Sequence, residues 1–424
     1  MKNTIILLII YSICLSVSGQ EHKPSSNRPL GVNDYIADVA QGNLGYIASK
    51  FDIDKASAAV QAAKVYADPE LTIGYSDNQD KLMHLGRAMD AGVSYPVNFG
   101  NARSARVSLA KSESKLAELV LQSYFQNLRA DAALIYYNAL KDKLLAEVQK
   151  DNLQRMSELA KADSMRFTAG TIMEIDSRQS AIEARIQKNE LIKAEASWQS
   201  SLVQFARFRG ITSVDTSYQP AGSLEFSVTE YSLDWLIEQA KKNRSDLQSA
   251  IQSKMVSEKM LGLVKASRAT ELGIETGFSY STNATNEIAP SPQHYAFNAG
   301  LTIPLKFSNF NKGELEASKL AIKQREAACS DAELSIIAEV NQAYIHYQSQ
   351  RKQLEEFHSG LLAEAEKILD NKSYSYNRGE TGLLDVLNAQ RTYNEIRQSF
   401  YETHYEYLAS LIELERAAGI WDIE

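Results

Sequence analysis

The chain is poor in most of what usually punctuates or staples a fold. Its 424 residues hold 2 cysteines and 8 prolines, against an ordinary proline share of ~5%. Cys14 falls in the leader, so a mature chain keeps Cys329 alone and has no internal disulfide open to it. Long apolar runs are missing too. Residues 5–17 form the only strong one, whereas a polytopic helical membrane protein needs repeated runs of about 20. Carboxylates outnumber Lys and Arg by 53 to 45, a net charge of −8, which speaks against a nucleic-acid partner. His22, His84, His294, His346, His358 and His404 have neither i,i+4 pairing nor the Cys/His spacing of a metal site. His346 and His404 read as surface or interface residues of helices. Without a phosphate loop, nucleophile elbow or paired-carboxylate site, neither enzyme nor cofactor is expected. None of these absences excludes a membrane β-barrel, whose strands barely move the mean hydropathy, here −0.31.

What is present begins with a leader. Lys2, the apolar residues 5–17 and Val17-Ser18-Gly19 have the layout of a secretory signal peptide cut near Gly19 or Gln20. A retained anchor is the alternative, but about 13 residues rise only ~20 Å as helix, short of a ~30 Å bilayer core. Tyr11-Ser12-Ile13 before Cys14 lacks the small residue that precedes a lipidated cysteine.

The chain then repeats itself. Val93-Ser94-Tyr95-Pro96-Val97-Asn98-Phe99 matches Leu301-Thr302-Ile303-Pro304-Leu305-Lys306-Phe307 at an offset of 208, as Ala130 and Tyr136 match Ala338 and Tyr344. Gly170, Asp176 and Gly210 recur as Gly379, Asp385 and Gly419 at 209. Asn43, Lys64, Glu70 and Leu71 recur as Asn243, Lys265, Glu271 and Leu272 at 200 to 201. The spacing divides the chain into a signal peptide (1–19), an N-terminal segment (20–32), a first repeat (33–210), a linker (211–231), a second repeat (232–419) and a tail (420–424).

Each repeat has one order of elements. A short helix starts near Asn33 or Ser232, both plausible N-caps. Two alternating stretches follow, about 70–97 and about 271–305. Leu71, Ile73 and Tyr75 answer Ala91, Val93, Tyr95 and Val97, with Thr, Gly and Ser between them. In the second repeat Leu272, Ile274, Thr276, Phe278 and Tyr280 answer Tyr295, Phe297, Ala299, Leu301, Ile303 and Leu305. Period-two alternation predicts strands with one apolar and one wet face. Long helical hairpins come next, about 100–210 and about 308–418, because 101–169, 171–209, 314–359 and 383–418 contain neither Pro nor Gly. Some 65 helical residues span about 100 Å. Leu121, Leu128 and Ile135, and likewise Tyr393, Phe400, Tyr407 and Leu414, recur at seven and predict coiled-coil packing. One Gly-containing break divides each hairpin, Arg166-Phe167-Thr168-Ala169-Gly170 and Tyr376-Asn377-Arg378-Gly379.

Four strands cannot close a barrel, which takes about eight. Identical chains can supply the rest: two would give eight strands, three a twelve-stranded barrel with an aqueous lumen, apolar residues facing lipid. The expected fold is mainly α with a small β part, a duplicated strand–strand–long helix–turn–helix unit serving an export duct. A periplasmic helical-hairpin adaptor or scaffold is the rival from another class, against which stand the alternating strands.

The duplicated layout, Pro96 and Pro304 at the strand–helix junctions, and the Arg-Phe-x-x-Gly and Tyr-x-x-Gly breaks resemble the TolC family of outer-membrane efflux proteins over roughly residues 30–420. That resemblance implies a homotrimer whose β-barrel, four strands per chain, sits in outer-membrane lipid and continues as an α-helical coiled-coil barrel in the periplasm. It implies a periplasmic adaptor and an inner-membrane pump of RND or ABC type as partners; a protein-secretion duct is the alternative within the family. It places the Gly turns at the periplasmic tip. Arg166, Gly170, Thr171, Gly379 and Thr381 would lie on the adaptor-docking turns, with Ile175 beside them, and Asp176, Tyr376, Arg378, Asp385 and Asn388 at the constriction. On trimerisation Asp176 and Asp385 would become rings of three carboxylates; their plainer role is to cap the helix after each turn. Thr381 and Asn388 stand where some members carry charged gate residues, so a closing network here would be rewired, through Arg378 or Arg178, or absent. Asp68-Pro69-Glu70-Leu71 with Tyr75-Ser76-Asp77-Asn78 resembles the cobalt–zinc–cadmium-type metal exporters.

Overall fold

The computed structural model describes residues 28–78, 84–98, 100–211, 218–224, 229–268, 271–304 and 311–422. The signal peptide, Phe99 and the stretch from Leu305 to Phe310 lie outside them. In chain order the elements are β1 (Arg28–Leu30), α1 (Val32–Gly42), α2 (Leu44–Ala63), β2 (Glu70–Asp77), β3 (Arg87–Asn98), α3 (Ala102–Thr168), α4 (Glu174–Phe208) and β4 (Tyr218–Pro220). After these come α5 (Leu233–Asn243), α6 (Ser245–Ser267), β5 (Glu271–Ser281), β6 (His294–Thr302), α7 (Lys312–Glu356), a π-helical turn (Phe357–Leu361), α8 (Leu362–Asn377) and α9 (Leu383–Ala418). Helix dominates, as expected, with a small sheet.

Helix α3 runs 67 residues unbroken, about 100 Å at 1.5 Å per residue. Its middle carries alanines where neighbours approach closely: Ala130, Ala132, Ala133 and Ala139 are buried beside Tyr136, Tyr137 and Leu140. Tyr35, Phe205, Tyr347, Tyr407, Ile412 and Leu414 complete this core. Of the heptad positions, Leu128, Tyr393, Tyr407 and Leu414 are buried and Leu121, Ile135 and Phe400 half-buried.

Buried tyrosines tie the core to backbone. Tyr35 stacks on Phe205 at 4.1 Å and donates to its carbonyl at 3.1 Å. The Tyr136 hydroxyl donates to the Leu30 carbonyl at 2.7 Å and accepts from the Ala221 amide at 3.1 Å. That hydroxyl pins strands β1 and β4, which pair in parallel. Two three-residue strands thus lie in what the sequence presents as terminal segment and linker, too short for any periodic signal.

The expected start of the first helix needs correction. Helix α1 begins at Val32 with Gly31 as N-cap, so Asn33 lies inside it. The capping asparagine is Asn43, which accepts from the Tyr46 amide at 3.0 Å and starts α2; each strand pair is therefore preceded by two helices. Ser232 does hold the N-cap position of α5, without a side-chain hydrogen bond. The run 314–359 is helix to its end, α-helix as far as Glu356 and then the π-helical turn Phe357–Leu361. Of the two readings for His404, surface or interface, burial fits the interface: its Nδ1 is 2.8 Å from the Phe400 carbonyl and its ring lies against Phe400.

Near the chain end, Glu415 is buried in α9, accepts from the Asp422 amide at 3.1 Å and meets Tyr231. Burial raises its carboxyl to about 7, with the Asp422 charge adding, against the Asp422 amide, the Tyr231 hydroxyl and Arg129. A carboxyl raised on folding favours the folded state while protonated and loses that contribution as pH rises through the folded value. Glu415→Gln is therefore expected to flatten the loss of stability between about pH 5 and 8, and to exceed the wild type at pH 8 by roughly 2–3 kcal/mol. Thermal unfolding at the two pH values measures it.

The second sheet positions the function. Its order is β2-β3-β5-β6, antiparallel throughout. Register keeps the apolar set on one face: Ile73, Ala91, Phe278 and Phe297 form one cross-strand row, and Tyr75, Met89, Tyr280 and Tyr295 the next. Thr72, Gly92, Gly277 and Asn298 fill a row of the other face. The apolar face is bare, with Ile73 76% and Phe297 71% exposed. A four-stranded sheet with an uncovered apolar face lacks what stabilises sheets in water. No described helix is long and apolar enough to cross a membrane.

Candidate functional site: the turn ends of the helical hairpins

The turns after α3 and α8 are closed by the same bonds. Gly170 N–H donates to the Phe167 carbonyl at 2.9 Å and Thr171 N–H to that of Arg166 at 2.9 Å. Gly379 N–H donates to Tyr376 at 3.0 Å and Glu380 N–H to Ser375 at 2.9 Å. These are Schellman closures, and both need a residue at positive φ, which Gly170 (+71°) and Gly379 (+78°) supply. The next helices start at once, α4 from N-cap Met173 and α9 from N-cap Gly382.

Asp176 and Asp385 are each the third residue of those helices. Neither is the N-cap, so the capping role fails, yet both sit in the first turn, where the helix dipole favours a carboxylate. Asp176 is half-buried; Asp385 is exposed with Lys372 Nζ 3.9 Å away. Asn388 is exposed one turn further along α9. Arg378 and Arg178 pair locally, Arg378 with Glu380 at 3.0 Å and with Tyr374 at 2.9 Å, Arg178 with Glu174. Neither reaches the opposite turn.

The bridge between the two turns runs through other residues. Arg166 donates to the Asn377 carbonyl at 2.9 Å and to Asn377 Oδ1 at 3.1 Å, its guanidinium over the Tyr376 ring. Tyr376 is buried and donates to Asp163 Oδ1 at 2.8 Å. Burial, and then the Asp163 carboxylate, push the Tyr376 hydroxyl up to about 12, so it remains a donor throughout the neutral pH range. Asp163 is fully buried and its Oδ2 has no hydrogen-bond partner. Thr381 Oγ1 is likewise buried and unpartnered. Met156, Leu383, Val386 and Leu387 pack around Tyr376. The sequence reading included Arg166 and Tyr376 but missed Asp163 and Asn377. Asp163 carries no motif, and only its place one turn before Arg166 could have drawn attention.

Asn152 of α3 accepts from Gln390 of α9 at 2.9 Å and donates to Gln187 of α4 at 2.7 Å. Buried amides thus add a second tie between the hairpins.

A mainly helical chain with one bare four-stranded sheet and two long hairpins has the architecture of an outer-membrane channel subunit. The sequence matches the family described as outer membrane efflux protein over residues 39–210 and again over 236–420, and the chain belongs to that family. It is 23% identical over 398 residues to the cobalt-zinc-cadmium resistance protein CzcC of Cupriavidus metallidurans, covering 93% of this chain and 89% of the relative. It is 21% identical over 377 residues to the outer membrane protein TolC of Vibrio cholerae, covering 86% and 85%. Among solved structures, CusC superposes with a TM-score of 0.74 at 15% identity over 96% of both chains. The Campylobacter jejuni CmeC outer membrane channel does so at 0.73 and 14%, over 95% and 90%. The chain functions in outer-membrane efflux.

Proposed function

We propose that three copies of this chain close a twelve-stranded outer-membrane barrel continued by a helical periplasmic tunnel, the passive exit duct of a tripartite efflux assembly. The observation that carries this reading is the bare apolar face of the β2-β3-β5-β6 sheet. Its edge strands β2 and β6 run in opposite directions, so β6 of one copy can pair antiparallel with β2 of the next. Exposed apolar residues on the helical part, among them Leu44, Phe51, Val203, Ile251, Leu334 and Ile345, fit contact between copies. The double family match supports a duplicated unit. Exposed Met165, Met173, Ile175 and Leu384 at the turns offer an adaptor apolar purchase beside Arg166, Gly170, Thr171, Gly379 and Thr381. An inner-membrane pump supplies the energy. The relationship to a cobalt-zinc-cadmium resistance protein favours divalent metal cations as cargo.

After cell fractionation the protein is expected in the outer membrane as a heat-sensitive trimer; a soluble monomer would refute the duct. Asp176 and Asp385 are read as cation-attracting rings at the constriction, with Asn388 and Arg378 beside them. Neutralising both as D176N/D385N is expected to lower cation over anion permeability several-fold in bilayer reversal potentials. Unchanged selectivity would leave these residues their helix-terminal role alone.

A further inference from the structure

Positions in the first repeat have counterparts in the second. Helices α1 and α5 are each 11 residues long and start 201 apart, and Asn43 and Arg244 each close one helix and open the next. Ile336, Val340, Tyr347 and Leu354, the buried residues of α7, stand 208 after Leu128, Ala132, Ala139 and Ala146, all buried in α3. Gly170 and Gly210 precede Gly379 and Gly419 by 209. The residue gained lies between Leu354 and Gly379, where the chain makes its π-helical turn.

Inside the chain, α3 of the first repeat docks on α6 and α9 of the second. Gln252 Nε2 donates to the Ser112 carbonyl and hydroxyl, both at 2.9 Å. Gln126 accepts from the Ser245 amide at 3.2 Å and donates to the Asn243 carbonyl at 3.1 Å. Arg416 of α9 lies 3.6 Å from Asp131. Ser112, Ser245 and Gln252 are buried there, as are Tyr137 and Ile412. Their counterparts are bare. Ser112 and Gln252 correspond to Leu320 and Phe51, Gln126 and Ser245 to Leu334 and Leu44, Tyr137 and Ile412 to Ile345 and Val203. All six counterparts are exposed, Leu44 by 72% and Leu334 by 68%. The acid and the arginine of the ion pair recur as Glu339 and an exposed Arg207. Leu44, Val203 and Arg207 border one cavity of about 750 Å³. Leu320, Leu334 and Ile345, spaced by 14 and 11 residues, share one side of α7.

We propose that this cavity is the socket for helix α7 of a second copy, seated as α3 is seated within the chain: Leu334 at Leu44, Leu320 at Phe51 and Glu339 beside Arg207. A chain with the socket on its first repeat and the inserted helix on its second joins head to tail, and such a joint closes into a ring. The two seams differ in chemistry. Hydrogen-bonding Ser112, Gln126, Ser245 and Gln252 hold the seam within a chain, whereas leucines and a phenylalanine hold the seam between chains. Separated copies leave that apolar surface in water, and association removes it. That the ring so built is a membrane duct rests on the reading above.

The test uses the full-length protein in membranes, with Cys329→Ser as background and a short bismaleimide as the cross-linker for paired cysteines. L44C/L334C is expected to run on denaturing gels as cross-linked dimers and trimers. Q126C/S245C, the pair within the chain, should react internally and stay at monomer mass. L44C/L320C moves the probe 14 residues along α7, about 21 Å, and should cross-link several-fold less than L44C/L334C. Equal yields from L44C/L334C and L44C/L320C would overturn the seam, as would no cross-link in a protein that is trimeric by its heat-sensitive band, which would leave the duct. A cross-linked ring that conducts no current would defeat the duct reading and leave the seam. If the cysteine variants do not assemble, hydroxyl-radical footprinting of the wild type decides. Leu44, Leu320 and Leu334 are expected to be oxidised several-fold less in the assembled protein than after heat dissociation, with Ile288 unchanged; equal oxidation in the two states would overturn the seam.

Discussion

Tyr376→Phe is expected to raise the open probability of the channel by one to two orders of magnitude. The substitution removes one hydroxyl, and among the described residues that hydroxyl is the side-chain hydrogen-bond partner of Asp163 Oδ1, while Asp163 Oδ2 has none. A hydrogen bond to a charged group contributes roughly 1.5–3 kcal/mol, and a buried carboxylate left with no partner keeps its full desolvation cost. Each 1.4 kcal/mol is about tenfold in an opening equilibrium. The phenyl ring would still fill the pocket formed by Met156, Leu383, Val386 and Leu387, so packing is conserved and the polar tie alone is lost. Asp163→Asn provides the contrast. Its amide oxygen still accepts from Tyr376 while the buried charge is gone, so closure near the wild-type level is expected. Single-channel recording measures both, and equal open probability in Tyr376→Phe and wild type would remove this bond from the gate.

The second large effect separates the two faces of the sheet. Phe297→Arg places a charge on the bare apolar face, whereas Asn298→Arg, one residue on, places the same charge on the opposite face. A lipid-facing arginine in a barrel costs about 2–4 kcal/mol near the bilayer midplane, and in the proposed trimer that cost is met in each copy. The first variant is expected to lose most of its outer-membrane trimer and the second to keep it, as judged by heat-modifiable bands from membrane fractions. Similar yields from the two would mean that Phe297 does not face lipid.

Much of this architecture was legible because it follows from strict periodicity. Alternation at Leu71, Ile73 and Tyr75 and at Phe278 and Tyr280 forces one register, since a slip by one residue would turn every apolar side chain to the polar face. Long runs without proline predicted α3 to within a residue at each end. Gly170 and Gly379 marked the turns because few other residues close a helix at positive φ. What escaped had no repeating signal. Strands β1 and β4 are held by the Tyr136 hydroxyl, a contact across more than eighty residues. Asp163 is one carboxylate among many until Tyr376 is brought against it. Gly360 was visible as a glycine amid helix, but only the backbone reveals that it breaks α7 from α8 rather than being absorbed. Asn33 resembled a cap, but Asn43, which the repeat marked without a capping role, holds that position, next to a close approach of Gly42 and Gly210 where an added Cβ would come within 2.1 Å of facing backbone.

The central claim is that copies of this chain jointly form a transmembrane duct, and conductance of the purified protein in a planar lipid bilayer tests it most directly. The expected record is discrete, long-lived current steps of uniform size from the heat-sensitive trimer, abolished once heating has dissociated it to monomers. A folded, pure protein that inserts no conducting unit, or whose current survives dissociation to the four-stranded monomer, would contradict the account.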